Sequence, residues 1–377
     1  MHRTPHALIA VLVLLASTSH AQAPQSPTPA PTDAPVRATT FAAGLERPWG
    51  IAFLPDGRML VTEKAGRLRL VDREGKVSAP LAGVPNVQSS GQAGLLDVAL
   101  SPKFSADRLV YLSFAEPGQG GAGTAVARGR LEDGRLENVE VIWRQQPKVS
   151  GGNHWGSRLV FSADGGTLFV TTGDRYSYRE RAQDLSTTIG KVVRIRPDGS
   201  IPPDNPFAKR SDARGEIWSY GHRNLQGAAL DPATGQLWTV EHGARGGDEL
   251  NHPQAGRNYG WPVITYGVDY SGAKIGEGTT RAGMEQPVYY WDPVIAPSGL
   301  TFYTGNAYPG WRGNLFVGSL RPGGLVRLEM EGQRVRSESR HLPDVGRVRD
   351  VVQGPDGLLY LAIDDSNGRI VKVEPVR

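Results

Sequence analysis

Gly50-Ile-Ala-Phe-Leu-Pro-Asp-Gly-Arg-Met-Leu-Val-Thr62 is an apolar run, a Pro-Asp-Gly turn and a second apolar run, and the chain repeats that unit. It returns as Leu96-Asp-Val-Ala-Leu-Ser-Pro102 with Leu109-Val-Tyr-Leu-Ser113, and as Arg158-Leu-Val-Phe-Ser-Ala-Asp-Gly-Gly-Thr-Leu-Phe-Val-Thr171. A fourth copy is Gly227-Ala-Ala-Leu-Asp-Pro-Ala-Thr-Gly-Gln-Leu-Trp-Thr-Val240. A looser fifth joins Gly299-Leu-Thr-Phe-Tyr303 to Gly313-Asn-Leu-Phe-Val-Gly-Ser319, and the sixth is Asp350-Val-Val-Gln-Gly-Pro-Asp-Gly-Leu-Leu-Tyr-Leu-Ala362. β-branched and aromatic residues around Gly, Pro and Asp turns read each copy as a β-hairpin. A further short strand follows several of them, as in Arg67-Leu-Arg-Leu-Val71, Lys191-Val-Val-Arg-Ile195 and Arg369-Ile-Val-Lys-Val373. One such blade cannot cover both of its faces and must stack on neighbours around an axis. Six units of three or four strands, without long helical periodicity, therefore predict an all-β, six-bladed β-propeller. A β-sandwich requires no such repeat.

The composition supports a packed core and removes several chemistries. Of 377 residues 39% are hydrophobic, and none is cysteine, which excludes disulfides, thiolate metal sites, iron–sulfur clusters and a cysteine nucleophile. The formal charge of +4 comes without any basic run, so no nucleic-acid partner is expected. Residues 1–23 have a short basic start (His2, Arg3), a brief apolar stretch and Ala21-Gln22-Ala23, the pattern of a cleavable secretory signal. That stretch is too short to span a bilayer, so the expectation is a periplasmic or secreted protein without stable membrane insertion. Residues 24–40 form a Pro-rich leader, and the propeller is expected to occupy residues 41–377, beginning near Phe41.

In a propeller the first strand of each blade lines the central channel, and the loop feeding it opens on one face. The residues at those entries are polar in several copies: Gln92, His154, Arg223 with Asn224, and Arg347 with Arg349. Loops between second and third strands open on the same face and add Asp174-Arg175, the 241–244 segment, Ser319-Leu320-Arg321 and Asp364-Asp365. Several guanidiniums around one mouth call for an anionic ligand with carboxylates or phosphates. A single histidine among them is held towards its neutral form by the surrounding positive charge, which suits a general base.

Glu241-His-Gly-Ala-Arg-Gly-Gly-Asp-Glu249 is acidic and Gly-rich; it reads either as a source of hard oxygens for Ca²⁺ or as a solvated turn. No EF-hand loop, histidine pair for zinc, P-loop, Gly-x-Gly-x-x-Gly or Gly-x-Ser-x-Gly sequence accompanies it.

Gly91-Gln-Ala-Gly-Leu-Leu-Asp-Val98, His154 ahead of Ser157-Arg-Leu-Val160, Gly221-His-Arg-Asn-Leu-Gln-Gly227 and Gly256-Arg-Asn-Tyr-Gly-Trp-Pro262 resemble soluble pyrroloquinoline quinone (PQQ)-dependent aldose sugar dehydrogenases of the glucose/sorbosone dehydrogenase-like family. Ile201-Pro-Pro-Asp-Asn-Pro206, Ala296-Pro-Ser298, Gly318-Ser-Leu-Arg321 and Gly346-Arg-Val-Arg-Asp350 extend the resemblance, in order, from about Phe41 to Val373. It implies oxidation of aldoses at C1 to lactones by hydride transfer to PQQ, with an external electron acceptor. His154 matches the family's general base, and Arg223 with Asn224 the pair at the quinone oxygens, so that Arg223 also counts as catalytic. Gln92, Tyr270, Ser319, Leu320, Arg321, Arg347, Val348 and Arg349 match cofactor-contacting positions. PQQ carries three carboxylates, in keeping with so many arginines. The family's catalytic Ca²⁺, which polarises the quinone, would take the carbonyls of Gly243 and Ala244, and a second Ca²⁺ would use Glu249 and the carbonyl of Tyr259. Ala244 stands where the glucose enzyme of the family has proline, and Arg321 where it has lysine. The alternative reading is a secreted propeller without catalysis that binds a glycan or a protein; a hydrolase would need channel carboxylates where arginine and amide groups dominate.

Overall fold

The computed structural model describes residues 35–376. They form six antiparallel sheets, five of four strands and one of three. Blade one is Pro48–Phe53, Met59–Glu63 and Arg67–Val71; blade two is Leu95–Leu100, Leu109–Gly118, Gly121–Glu132 and Arg135–Arg144. Blade three runs Gly156–Phe161, Leu168–Thr172, Lys191–Ile195 and Ile217–Tyr220, and blade four Leu225–Leu230, Leu237–Glu241, Asp248–Asn251 and Tyr289–Trp291. Pro297–Phe302, Leu315–Ser319, Leu325–Glu331 and Arg334–His341 make blade five. Blade six is Val348–Gln353, Leu359–Ile363 and Gly368–Pro375, completed by Val36–Leu45 from the other end of the chain. The first strand of each blade packs on that of the next, and blade one closes on blade six, so the six-bladed propeller is confirmed.

Second strands are the most deeply sandwiched: Met59–Glu63, Leu168–Thr172, Leu237–Glu241, Leu315–Ser319 and Leu359–Ile363 are buried throughout. Their aliphatic residues pack against the neighbouring blade, as where Leu60 meets Leu95, Val98 and Leu112 in one apolar cluster. Burial of such side chains is the main stabilising contribution to stacked sheets.

The ring closes earlier in sequence than expected. Val36–Leu45 pairs with Gly368–Pro375 from Val36↔Pro375 to Leu45↔Gly368, so residues 36–40 belong to blade six and the folded body begins before Phe41. The predicted signal segment and most of the Pro-rich leader lie outside the described residues.

One detail of the inner strands positions the site. In all six blades the pairing of first and second strand shifts register near the start of the inner strand, as between Pro48 and Ile51, Leu95 and Val98, and Val348 and Asp350. Such bulges re-aim side chains, here towards the channel mouth. The amides they free are taken by hydroxyls of the second strand: Gly50 N–H by Thr62, Asp97 N–H by Ser113, and Arg158 N–H by Thr171, each at 2.9 Å. The same hydroxyls donate onward to the next blade, Ser113 to the Ser157 carbonyl at 2.6 Å and Thr171 to the Leu225 carbonyl at 3.2 Å. The mouth is thereby laced blade to blade.

Candidate active site

Two neighbouring cavities open there. The first, of about 320 Å³, is lined by Gln92, Leu320, Arg321, Arg347 and Arg349 from the expected set, together with Arg47, Trp49, Lys64, Trp155, Gln226, His242 and Asp364. The second, of about 250 Å³, is lined by His154, Arg223, Ala244 and Tyr270, with Asp174, Tyr176, Trp261 and Ile275. Trp155 and Gly156 face the first and His154 the second, so one short segment forms the wall between them.

Three arginines thus meet as expected, but Arg223 does not share their cavity. Its guanidinium donates to the carbonyls of His242 (3.1 Å) and Gly243 and lies 5.2 Å from the Trp261 ring, which turns it towards the histidine side. Two further expected residues sit behind the wall. Ser319 is buried and donates its hydroxyl to the Ile295 carbonyl at 2.8 Å; Val348 is in the apolar core, and its carbonyl accepts from Ser298 at 2.6 Å. Their places follow from strand alternation, which sends Val348 inward while Arg347 and Arg349 face the mouth.

Arg349 is held from both ends. Its Nη1 donates to Gln226 Oε1 and its Nη2 to Asp364 Oδ2, both at 2.8 Å, while Nε is buried without a partner. Asp364 also draws in Arg47 and Arg347, each at 3.4 Å. The three guanidiniums keep the Asp364 carboxyl below the usual carboxylate range despite its burial. Asn224 spends its Oδ1 on Gly156 N–H and Gln226 Nε2, both at 3.2 Å, and its Nδ2 has no partner. Arg223 Nε is a third buried donor left unmatched. Unpaired buried donors are costly, and of these three residues Arg349 lines the first cavity and Arg223 the second.

His154 is fixed with similar care. Its backbone has φ +55°, and Ser157, Arg175 and Tyr176 are also in the left-handed region at +95°, +58° and +63°. Such backbone persists only when its surroundings over-determine it. Here His154 N–H donates to Gln92 Oε1 at 2.8 Å, while buried Arg175 donates to the carbonyls of Ala122 (2.8 Å), Gly151 (2.6 Å) and Asn153 (3.2 Å). The same guanidinium lies 3.5 Å from the Trp155 ring centroid. His154 Nδ1 is 2.6 Å from Asp174 Oδ1, and Asp174 Oδ2 accepts the Trp261 indole N–H at 2.8 Å. A carboxylate only accepts, so the proton is on Nδ1 and the Nε2 lone pair is left for the cavity. Burial is the leading cause that lowers the His154 pKa; Arg223 and Arg175 contribute less, and Asp174 opposes. The neutral imidazole expected from the sequence is thus favoured mainly by desolvation rather than by nearby positive charge.

Of the expected metal residues, Gly243, Glu249 and Tyr259 line a small void of about 10 Å³ with Glu241, Thr265 and Arg223, whereas Ala244 lines the cavity of His154. Burial, with Glu241 beside it, pushes the Glu249 carboxyl up to about 8. Among the described residues no group of three or more His, Asp or Glu side chains is arranged to hold a metal. A cation here would rely on backbone carbonyls together with Glu249.

Sequence reasoning placed Asp174 and Asp364 at the mouth only as loop residues, and it missed Arg47 and Lys64. Lys64 follows the second strand of blade one at the same repeat position as Asp364 in blade six, which is the signal that would have found it.

The comparisons with known proteins agree with this geometry. The chain matches the family model described as Glucose / Sorbosone dehydrogenase over residues 45–372. It is 49% identical over 338 residues to the aldose sugar dehydrogenase YliI of Escherichia coli K12, covering 88% of this chain and 91% of that one. The crystal structure of the soluble aldose sugar dehydrogenase from Escherichia coli in the apo form superposes with a TM-score of 0.88 at 47% identity, over 91% of this chain and all of that one. The PQQ-bound aldose sugar dehydrogenase of Streptomyces coelicolor gives 0.77 at 30% identity, over 93% of this chain and 100% of that one. Fold and site define a propeller dehydrogenase. The chain belongs to the glucose/sorbosone dehydrogenase family.

Proposed function

We propose that the protein oxidises aldose sugars at C1 to lactones, with PQQ in the arginine-lined cavity and the sugar in the cavity of His154. The observation that carries this is the convergence of Arg321, Arg347 and Arg349 on one cavity beside the cavity of His154. They fit a flat ligand rich in carboxylates and carbonyl oxygens, and Trp49 and Trp155 add aromatic walls to the same cavity. When bound, PQQ supplies the two-electron acceptor for the C1 hydride, and Ca²⁺ the Lewis acid that polarises it.

This chain's own residues do the rest. His154 Nε2 takes the proton of the anomeric hydroxyl, and Asp174 steadies the imidazolium that results. Arg223 and Asn224 present donors where negative charge would develop. Arg321, Arg347 and Arg349 would bind carboxylates, Gln92 fixes the backbone of the base, and Tyr270 and Tyr176 flank the sugar side. The carbonyls of Gly243 and Ala244 would hold the catalytic Ca²⁺, for which the Arg223 guanidinium must leave the Gly243 carbonyl. Glu249 and the carbonyl of Tyr259, residues that line one small void, would hold a second ion.

No helix among the described residues is long and apolar enough to cross a membrane, which is compatible with export to the periplasm or medium and an external acceptor. Apo-protein reconstituted with PQQ and Ca²⁺ should reduce an artificial dye when given aldoses. Confirmed reconstitution without dye reduction on any aldose would refute the assignment and favour a propeller that only binds.

A further inference from the structure

Equivalent places in the six inner strands are held by Gly50, Asp97, Arg158, Gly227, Gly299 and Asp350. The glycines are required by close approach: a Cβ on Gly299 would stand 2.3 Å from Asp350 Oδ1, and one on Gly50 2.8 Å from Asp97 Oδ1. The level therefore carries one large side chain, Arg158, with two carboxylates beside it. Arg158 Nη1 lies 3.1 Å from Asp97 Oδ1 and 2.9 Å from Asp350 Oδ1. The other oxygens of those carboxylates accept Leu159 N–H at 2.8 Å and Ile51 N–H at 2.9 Å, which fixes both.

The rest of the guanidinium points at the level above. Nε donates to the Gln226 carbonyl at 2.8 Å, Nη2 donates to the Arg349 carbonyl at 2.9 Å, and Cζ sits 4.2 Å from the Trp49 ring centroid. Trp49, Gln226 and Arg349 all line the larger cavity, and they come from blades one, four and six. We propose that Arg158, which touches no ligand itself, is a positioning residue that sets the floor of the cofactor cavity by holding Trp49, Gln226 and Arg349 in one arrangement. Only a planar fork with donors in several directions serves two carbonyls, two carboxylates and an indole face together; an ammonium places its charge at one point. The inference rests on the reading of this cavity as the PQQ site.

The test compares PQQ affinity with stability. Arg158→Ala strands two buried carboxylates and is expected to unfold. Arg158→Lys keeps the charge between them but loses the fork, and Asp97→Asn withdraws one of the two groups that aim it. Leu328→Ala, a core truncation in blade five, is the control for destabilisation alone. Kd for PQQ in the presence of Ca²⁺ is read from tryptophan quenching on protein shown to be folded by circular dichroism. Arg158→Lys is expected to raise Kd at least tenfold and Asp97→Asn by a smaller factor, while Leu328→Ala lowers the melting temperature and leaves Kd alone. An unchanged Kd in whichever of the two site variants folds, or an equal rise in Leu328→Ala, would overturn the proposal. A wild-type protein that binds no PQQ would instead remove the cavity assignment, and this inference with it.

Discussion

His154 Nδ1 and Asp174 Oδ1 stand 2.6 Å apart, across two loops of blade three that the Arg175 guanidinium and the Gln92 amide hold in place. The pair directs the ring proton to Nδ1 and so frees Nε2 to accept one from a sugar hydroxyl. His154→Ala should lower kcat by roughly 10²–10⁴-fold, the usual share of a positioned general base, with PQQ still bound. Asp174→Asn offers an amide that donates to Nδ1 as readily as it accepts, which allows the unproductive tautomer. It should fall between the wild type and His154→Ala in single-turnover reduction of the reconstituted cofactor. Full activity in Asp174→Asn would remove the base assignment.

The same pair sets the pH dependence. Burial holds the folded-state pKa of His154 below the ordinary imidazole value, and Asp174 is the group that opposes the fall. A base with a lowered pKa stays neutral as pH drops, so the acid limb of kcat/KM should have its midpoint below about 6.5. Asp174→Asn removes the opposing group and should move that midpoint lower still, while the plateau also drops. The profile is measured with a dye whose own reduction does not vary with pH. A midpoint above 6.5, or an upward shift in Asp174→Asn, would contradict this account.

The propeller was legible because its hairpins are local. Each copy pairs with residues a few positions away, and paired apolar, β-branched runs around Pro-Asp-Gly or Asp-Gly turns write that pairing into the sequence. The closing strand left no such mark. Val36–Leu45 is largely exposed, carries no apolar run and pairs with the far end of the chain. At the site, the residues entering the inner strands and those of the loops after the second strands were legible through their place in the repeat, and Gln92, Arg321, Arg347 and Arg349 line one cavity. The direction of Arg223 was not legible, because two backbone carbonyls draw its guanidinium, and carbonyl directions are set by loop geometry. Val348 and Ser319 flank cavity-lining arginines in sequence, but alternation turns the Val348 side chain into the core and the Ser319 hydroxyl is taken up by the Ile295 carbonyl.

Arg347, just before the inner strand of blade six, and Arg349, within it, both line the first cavity but differ in depth. The Arg349 side chain is 14% exposed and lies 2.8 Å from Asp364, whereas that of Arg347 is 51% exposed and lies 3.4 Å away. Truncating a desolvated, hydrogen-bonded charge costs about 2–5 kcal/mol of binding, and a rim charge about 1 kcal/mol or less. Arg349→Gln should therefore raise the Kd for PQQ by roughly 30-fold or more, and Arg347→Gln by roughly fivefold or less. Isothermal titration of the two variants at one salt concentration decides it. Equal losses would mean that the ligand sits at the rim and not on the floor of the cavity.

Away from the site, Lys191 gives the fold a pH dependence of its own. Its ammonium is fully buried in blade three and donates to the carbonyls of Arg181 (2.8 Å), Ala182 (3.0 Å) and Ile189 (2.7 Å), with no carboxylate in contact. Burial pushes its pKa down to about 7, with Asp184 opposing only in part. The unfolded chain keeps the proton to about pH 10.4, so between 7 and 10 the unfolded state binds more protons and stability rises with pH. The contribution is at most about 1.4 kcal/mol per pH unit across that window, and it is absent below pH 7, where both states are charged. Lys191→Met has no such titration, although its three carbonyls lose their donor. Urea midpoints of wild type and Lys191→Met, taken from pH 7 to 9.5, should therefore diverge in favour of the wild type as pH rises. A signed difference, wild type minus variant, that stays constant or falls as pH rises would show that Lys191 remains charged inside the fold, held by its three carbonyls across the whole window.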